Sequence, residues 1–131
     1  MFFFQSYTDC SAQDVKNAQS DSNAVIVDCR MHSEASAGSV KGAHVKDWLG
    51  GELHQVISSW DKSKKYYLYC RSGNRSKQAT QFMRKHGFEN VYNAGGYSKL
   101  RDLYGADVRS STTATIRANS FSSNSRVSMA I

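Results

Sequence analysis

The segment from residue 66 to residue 86 passes from an apolar run to a short polar loop and then to a helical pattern. Tyr66 to Tyr69 is an apolar and aromatic run that predicts a strand, and Ser76 to His86 has the apolar spacing of a helix. Cys70 opens the short polar loop between them. A loop that enters a helix leaves backbone N–H groups unpaired, and these converge with the positive end of the helix dipole. The segment therefore predicts an anion-binding loop with a cysteine at its edge.

The residues of this loop favour a reactive cysteine. Arg71 and Arg75 place positive charge beside Cys70, and nearby cations and a helix N-terminus lower the pKa of a thiol from about 8.5. Gly73 and Asn74 suit positive φ and a close approach of the backbone to a ligand. The alternative is an inert thiol that ends a core strand, but two arginines would be a poor lining for it. We interpret Cys70 as a nucleophile that rests as a thiolate.

Composition limits the class of protein. The 131 residues are 40% hydrophobic and 21% charged, as is typical of one soluble globular domain. The net charge of +6 is scattered along the chain, so we expect a small anion rather than a nucleic acid as the partner. No apolar run is long enough to span a membrane. We expect a cytoplasmic monomer without membrane contact, or a periplasmic protein if a signal peptide was removed.

The cysteines and histidines form no metal-binding pattern. The sequence contains no CxxC pair, no HExxH motif and no other ligand spacing of this kind. We therefore expect neither a structural zinc site nor a disulfide framework. The residues concerned are Cys10, Cys29, Cys70, His32, His44, His54 and His86.

Predicted strands and helices alternate along the chain, which favours an α/β fold. We expect a central parallel sheet of about five strands with helices on both faces. Ligands of such sheets bind outside the carboxyl ends of the strands, where Asp28 and Cys70 both fall. We predict a domain over residues 1–107 and a flexible tail rich in Ser, Thr and Asn over residues 108–131. The predicted strands are 5–8, 24–27, 43–45, 66–69 and 88–93, and the predicted helical segments are 11–19, 33–37, 52–60, 76–86 and 97–104. The pattern also predicts a capping box of Ser11 with Asp14, a cap at Ser33, a left-handed C-cap at Gly87 and a turn at Gly95 and Gly96.

Four segments, in this order, match the pattern of one family. They are Val-Ile-Val-Asp-Cys-Arg at 25–30, Gly-Ser-Val-Lys-Gly-Ala at 38–43, Cys-Arg-Ser-Gly-Asn-Arg-Ser at 70–76 and Asn-Ala-Gly-Gly-Tyr at 93–97. Over residues 5–104 the chain resembles the single-domain rhodaneses, which are thiosulfate sulfurtransferases with a rhodanese-like α/β fold. The loop at 70–76 is the most specific of these matches.

The resemblance implies that Cys70 is the nucleophile and carries a persulfide during sulfur transfer. Within the loop, Arg71 would meet the sulfonate of thiosulfate and Arg75 would organise the backbone. Covalent catalysis of this kind needs neither a metal nor a cofactor. The residues that would bind the anionic sulfur donor are Arg71, Ser72, Gly73, Asn74 and Arg75.

The resemblance also implies supporting residues and partners. Asp28, Arg30 and Ser76 would fix the site without taking part in the chemistry, because a thiol that is already ionised needs no base. The donor would be a small sulfur anion. The acceptor would be cyanide or a thiol, including the thiol of a thioredoxin-like protein.

The chain departs from the family pattern at Cys29, Ala35, Ser39 and Lys41. Cys29 stands where a branched apolar residue is usual, and one interpretation is a buried replacement for valine. The other is that Cys29 lies close enough to Cys70 to form a disulfide with it and release hydrosulfide. Successive side chains of a strand alternate between faces, so the sequence leaves the direction of Cys29 open.

Three other functions fit part of the pattern. Phosphatases and arsenate reductases also close a cysteine loop with an arginine, but their Cys-x5-Arg loop has five intervening residues whereas four separate Cys70 from Arg75. A non-enzymatic binding module would have no use for a thiol in an electropositive loop. A sulfur-relay protein would pass the persulfide to a protein thiol and would differ only in its acceptor. We expect a thiosulfate sulfurtransferase.

Overall fold

The computed structural model describes residues 7–105, and strands alternate with helices along them. None of the helices in these residues is long and apolar enough to cross a membrane. The strands are β1 (Ala24–Asp28), β2 (His44–Val45), β3 (Lys65–Cys70) and β4 (Val91–Gly96). The helices are α1 (Ala12–Ala18), α2 (His32–Ala35), α3 (Glu52–Val56) and α4 (Asn74–Lys85), with 3-10 segments at Ile57–Ser59 and Tyr97–Leu103.

The four strands of the described residues are all parallel and form one sheet in the order β2-β1-β3-β4. β3 has a neighbour on each side, with Tyr69 opposite Asp28 of β1 and Cys70 opposite Gly96 of β4. The predicted α/β class with a parallel sheet is confirmed. The fifth predicted strand, 5–8, begins outside the described residues, and within them Asp9 forms a single parallel bridge with Asn93.

Helices cover both faces of the sheet, as predicted, and each face has its own core. The face under α3 and α4 also holds the side chains of Cys29 and Cys70. The face under α1 and the final 3-10 segment holds Tyr69, because consecutive side chains of β3 point to opposite faces. The other buried apolar residues are Val27, Leu53, Ile57, Tyr66, Leu68, Ala79, Met83, Phe88 and Val91 on the first face, and Val15, Ala18, Ile26, Val40, Ala94, Leu100 and Leu103 on the second.

Two helix ends carry the signals that the sequence predicts. At the start of α1, the Ser11 hydroxyl accepts the Asp14 N–H at 3.1 Å, and the Asp14 carboxylate accepts the Ser11 N–H at 2.9 Å. This reciprocal pair is a capping box. After α4, Gly87 has a φ of +94°, a left-handed conformation that glycine adopts without strain.

The start of α2 differs from the prediction. Ser33 does not cap this helix, which begins at His32 after Met31. The Glu34 carboxylate accepts the Met31 N–H at 2.9 Å and satisfies one of the unpaired donors of the first turn. A carboxylate inside the first turn has thus replaced the hydroxyl cap that the sequence pattern favours.

The glycine pair Gly95 and Gly96 is the second difference. The prediction of a turn at these residues is wrong, because both belong to β4 and pair with the end of β3. β4 also begins at Val91 rather than at residue 88. Glycine is unfavourable in strands unless another part of the backbone approaches closely, and here the cysteine loop does so.

Helix lengths account for the remaining differences. The predicted helix 52–60 is α-helical only to Val56 and continues as a 3-10 segment. α4 begins at Asn74, two residues before the predicted start at Ser76. The final segment is a 3-10 helix with a kink at Leu100. The predicted tail, 108–131, and the predicted domain boundary at residue 107 lie outside the described residues and stay predictions.

Candidate active site

Cys70 is the last residue of β3 and lies at the carboxyl edge of an interior strand of the sheet. Its relative exposure is 0%. The sulfur accepts hydrogen bonds from the Gly73 N–H at 3.0 Å, the Ser76 N–H at 3.4 Å and the Ser76 hydroxyl at 3.5 Å. The loop therefore folds over the sulfur and directs several donors at it.

Two opposed effects act on the pKa of the Cys70 thiol. Burial raises this pKa, because low-dielectric surroundings disfavour the thiolate. Hydrogen bonds from the Ser76 hydroxyl and from the backbone N–H groups of Ser76, Gly73 and Ser72 lower it. The hydrogen bonds outweigh burial, so the pKa of Cys70 lies below its ordinary value. The sequence predicts that the neighbouring arginines and the helix N-terminus have this effect, and in the structure the hydrogen bonds around the start of α4 are the main lowering cause.

The loop reverses direction at Gly73, which precedes α4 and has a φ of +99°. Only glycine adopts this conformation readily. The loop also lies against the backbone of β4: a Cβ atom on Gly73 would be 3.2 Å from the Gly95 Cα, and one on Gly96 would be 2.8 Å from the Arg71 carbonyl oxygen. Glycine is required on both sides of this contact.

Arg75 and Glu34 form an ion pair that fixes the start of α4. The Arg75 guanidinium donates two hydrogen bonds, at 2.7 and 3.0 Å, to the two carboxylate oxygens of Glu34 in α2. This bidentate pair lowers the pKa of Glu34 to about 2. The Glu34 carboxylate raises the pKa of Arg75, and the nearby Cys70 sulfur adds to that rise. Arg75 thus interacts with both the Glu34 carboxylate and the Cys70 sulfur.

Asn93 connects the loop to β4, and sequence analysis assigned it no role. Its side chain is buried and belongs to the third residue of the strand. Its Oδ1 accepts the Ser76 hydroxyl at 2.7 Å and the Gly95 N–H at 3.0 Å, and its Nδ2 donates to the Gly73 carbonyl at 3.2 Å. A buried amide in the otherwise apolar start of β4 is the one local signal that indicates such a role.

Asp28 and Arg30 form a buried network on the other face of the sheet. Arg30 binds both carboxylate oxygens of Asp28, with a shortest distance of 2.7 Å, and donates to the Gly38 carbonyl at 2.7 Å. The Tyr69 hydroxyl donates to Asp28 at 2.8 Å, and the Ser39 hydroxyl does so at 3.0 Å. These contacts join β1 to the end of β3 and to the segment after α2, and they do not include the Cys70 loop.

Cys29 lies on the same face of the sheet as Cys70 and has no exposed surface. Its backbone N–H donates to the Tyr69 carbonyl at 2.8 Å, which continues the pairing of β1 with β3 beyond Asp28. Burial raises the pKa of the Cys29 thiol well above its ordinary value, and the nearby Cys70 sulfur adds to the rise. Both cysteines are free thiols in the structure.

The remaining predicted site residues, Arg71, Ser72 and Asn74, are exposed at the rim of the loop. An anion that approached Cys70 would meet the N-terminus of α4. Among residues 7–105, no group of three or more His, Cys, Asp or Glu side chains could hold a metal ion. The arrangement is suited to holding negative charge on and above a sulfur atom.

These features define a class: a parallel α/β domain that holds a cysteine of lowered pKa in a tight loop at the carboxyl edge of its sheet. A family model described as "Rhodanese-like domain" matches residues 11–102. The chain therefore belongs to the rhodanese-like domain family, which confirms the resemblance seen in the four sequence segments.

Curated relatives carry two kinds of names. A tRNA uridine(34) hydroxylase from Hamiltonella defensa is 36% identical over 90 residues, which cover 65% of this chain and 25% of that protein. One from Erwinia tasmaniensis is 35% identical over 106 residues, which cover 75% of this chain and 30% of that protein. A Bacillus subtilis protein named as a candidate sulfurtransferase, YtwF, is 29% identical over 79 residues, which cover 60% and 74%. The chain spans 25–30% of the length of these two hydroxylases.

Solved structures share the fold. A human single-domain sulfurtransferase superposes with a TM-score of 0.64 at 21% identity, covering 72% of this chain and 95% of that one. A rhodanese-related protein from Thermoplasma volcanium superposes with a TM-score of 0.62 at 25% identity, covering 73% and 92%. At 21% identity, the similarity to the human sulfurtransferase shows only that the fold is shared.

Proposed function

We propose that the protein is a sulfurtransferase that moves sulfane sulfur from thiosulfate, or a similar anionic donor, to cyanide or a thiol acceptor through a persulfide on Cys70. One observation carries the proposal: the Cys70 sulfur lies at the N-terminus of α4 beneath donors from Gly73 and Ser76. Donors in these positions stabilise a thiolate before the reaction and a persulfide anion after it.

The first half-reaction brings two anions together. The Cys70 thiolate attacks the outer sulfur of thiosulfate, a bond forms between the two sulfurs, and sulfite leaves with the electron pair of the broken S–S bond. Repulsion between the anions costs several kcal/mol in a poorly screened site unless fixed positive potential offsets it. We assign that potential to the loop N–H groups, the dipole of α4 and the Arg71 side chain.

The second half-reaction regenerates the free Cys70 thiolate. The acceptor attacks the outer sulfur of the persulfide, and Cys70 leaves as a thiolate toward the same donors. Cyanide would become thiocyanate, and a thiol would become a new persulfide. Because hydrogen bonds lower the pKa of Cys70, its thiolate is a good leaving group. The step needs no base, which agrees with the position of Asp28 against the hydroxyl of Tyr69.

Phosphate-ester or arsenate chemistry is the rival within the same architecture. The close packing of Gly73 and Gly96 against neighbouring backbone leaves little room to enlarge the loop. Four residues separate Cys70 from Arg75, one fewer than in the phosphatase pattern. We therefore favour a sulfur atom over a tetrahedral phosphate as the group that the loop surrounds. Hydrolysis of an aryl phosphate without formation of thiocyanate from thiosulfate and cyanide would reverse this assignment.

A second candidate function comes from the relatives named tRNA uridine(34) hydroxylase, one of which is 36% identical to this chain over 90 residues. It is a role in the modification of uridine 34 of tRNA, which would contradict our expectation that nucleic acid is not a partner. Mass spectrometry of nucleosides from tRNA incubated with the protein tests it. Addition of an oxygen atom to uridine supports this candidate, and unchanged nucleosides in a preparation that is active in sulfur transfer count against it.

The test of the main proposal is mass spectrometry of the intact protein after treatment with thiosulfate. We expect the gain of one sulfur atom, located on Cys70 by peptide mapping and removed by cyanide as thiocyanate. Cys70→Ser should gain no sulfur and form no thiocyanate, while Cys10→Ser serves as the control because Cys10 lies outside the loop. Sulfur transfer by the Cys70→Ser variant would disprove the proposal.

A further inference from the structure

Cys29 is a nucleophilic side chain that the proposed reaction leaves unused. It is fully buried, yet it lies in the same core cluster as Cys70 rather than under the opposite face of the sheet. The sequence leaves open which face of the sheet the Cys29 side chain points to. In the structure it points to the same face as the side chain of Cys70. A cysteine that only replaces a buried valine could point to either face of the sheet. Because Cys29 points to the face that holds Cys70, a reaction between the two thiols has to be considered.

The strand register places the two cysteines side by side. Asp28 of β1 is paired with Tyr69 of β3, and each is followed by one of the cysteines. The hydrogen bond from the Cys29 N–H to the Tyr69 carbonyl, at 2.8 Å, shows that the pairing continues to this position. Neighbouring strands lie about 4.8 Å apart, which is within the roughly 4.4–6.8 Å between Cα atoms that a disulfide spans.

We infer that Cys29 resolves the persulfide of Cys70, so that the protein converts bound sulfane sulfur to hydrosulfide when no acceptor arrives. This inference rests on the proposed function, since that function supplies the persulfide. It adds an activity, the reduction of sulfane sulfur by a pair of protein thiols.

The step balances without another reactant. The Cys29 sulfur attacks the inner sulfur of the persulfide, which is the Cys70 sulfur, and the bond between the inner and outer sulfurs breaks. The outer sulfur leaves with the bonding electron pair and takes the proton of Cys29, so that it departs as hydrosulfide. The two cysteine sulfurs are thereby oxidised to a Cys29–Cys70 disulfide, and the outer sulfur is reduced.

Burial of Cys29 decides which thiols can take part. Cys29 has 0% exposure and lies outside the loop at the edge of the sheet, whereas it shares a core cluster with Cys70. Cys10, the remaining cysteine, is half-buried under the opposite face of the sheet. The disulfide should therefore be intramolecular and should exclude Cys10.

The experiment follows the reduced full-length chain after it has been loaded with sulfur. The protein is treated with thiosulfate under argon, separated from excess reagent and analysed by non-reducing mass spectrometry over time, with hydrosulfide measured in parallel. We expect the sulfur adduct to decay to a species that lacks two hydrogen atoms relative to the reduced chain, with one hydrosulfide released per disulfide. Peptide mapping should join Cys29 to Cys70.

Two variants complete the experiment. In Cys29→Val, we expect the adduct to last at least roughly tenfold longer and no disulfide to form, because the resolving thiol is gone. Cys10→Ser should behave like the parent chain. A stable adduct in the parent chain, or a disulfide that includes Cys10 or a second copy, overturns the inference.

A second sulfur source separates this inference from the proposed function. Inorganic polysulfide can load a reactive cysteine without recognition of thiosulfate. If thiosulfate and polysulfide both load Cys70 and the adduct persists, the result supports the proposed sulfur transfer and rejects the resolving role of Cys29. If polysulfide alone loads Cys70 and the disulfide follows, the role of Cys29 stands and thiosulfate is the wrong donor. If neither reagent loads Cys70, both proposals fall.

Discussion

The Ser76 hydroxyl donates to Asn93 Oδ1 at 2.7 Å, while its oxygen also lies 3.5 Å from the Cys70 sulfur. A serine hydroxyl carries one proton, so the Asn93 amide oxygen and the Cys70 sulfur compete for it. Asn93 also binds the Gly73 carbonyl, at 3.2 Å. One side chain therefore restrains both the hydroxyl and the backbone that cover the reactive sulfur.

Asn93→Ala should lower the free energy of unfolding by about 1–3 kcal/mol, because it leaves buried polar groups without partners. Sulfur transfer should fall with it, since the loop loses its tie to β4. Ser76→Ala removes part of the same network, so the double variant should lose less than the sum of the two single losses. Urea unfolding of the parent and three variants measures this. Additive losses would show that the two side chains act independently.

The rate at which Cys70 is alkylated should depend on pH with a midpoint below the ordinary thiol value, because hydrogen bonds lower the pKa of Cys70. Ser76→Ala removes a donor that favours the thiolate, so the midpoint should move upward. Iodoacetamide alkylation, followed by mass spectrometry from acid to alkaline pH, provides the measurement. Ser98→Ala is the control, because Ser98 is exposed in the final 3-10 segment. An unchanged midpoint in Ser76→Ala would show that the backbone N–H groups alone lower the pKa of Cys70.

The Glu34–Arg75 pair should make stability depend on acid pH. The pKa of Glu34 falls from its ordinary 4.5 to about 2 in the folded chain. A carboxylate with a lowered pKa stabilises the fold fully above its unfolded value, and this contribution is lost as the pH falls through the folded value. Glu34→Gln should therefore destabilise the chain more at pH ~7 than at pH ~2, as measured by urea unfolding. Glu89→Gln, at an exposed position, should show no such difference.

Arg71→Ala should raise the KM for thiosulfate about tenfold, which corresponds to about 1.4 kcal/mol, and should leave the step with cyanide largely unchanged. The reason is that Arg71 is exposed at the rim whereas Arg75 is held by Glu34. Steady-state kinetics with each substrate varied in turn separates the two half-reactions. Arg101→Ala, which removes another exposed arginine, is the control. An effect confined to the cyanide step would contradict the assignment.

Gly96→Ala should disturb the loop from the side of β4. The new Cβ atom would lie 2.8 Å from the Arg71 carbonyl oxygen, which is backbone and cannot rotate away. We expect a loss of about 1–3 kcal/mol in stability and a larger relative loss of sulfur transfer. Gly50→Ala is the matched control, because its Cβ would meet only the Asp47 side chain, which can move. Equal activity in the two variants would show that the loop tolerates displacement.

Local signals were enough to locate the cysteine loop. A strand that ends at Cys70, a glycine at a left-handed position and a helix that follows are all adjacent in the chain, and their physical chemistry does not depend on distant residues. The parallel sheet also followed from local patterns, because alternating strands and helices leave few other ways to bury both faces.

The partners of the loop could not be predicted in this way. Glu34 is 41 residues from Arg75, and Asn93 is 17 residues from Ser76. Which polar side chains meet across such separations depends on strand order and register. The direction of Cys29 depends on the same register, and the strand character of Gly95 and Gly96 depends on pairing with β3 rather than on propensity.

Under the proposed function, the complete burial of Cys70 would make the site a filter for the shape of the acceptor. A persulfide at the bottom of the loop can be reached by a slim, linear nucleophile such as cyanide, or by a thiol at the tip of an extended side chain or tail. A thiol that lies flush with the surface of a large protein cannot bring its sulfur to the same point. We therefore expect any protein that accepts sulfur from this chain under the proposed function to present its cysteine on a protruding segment.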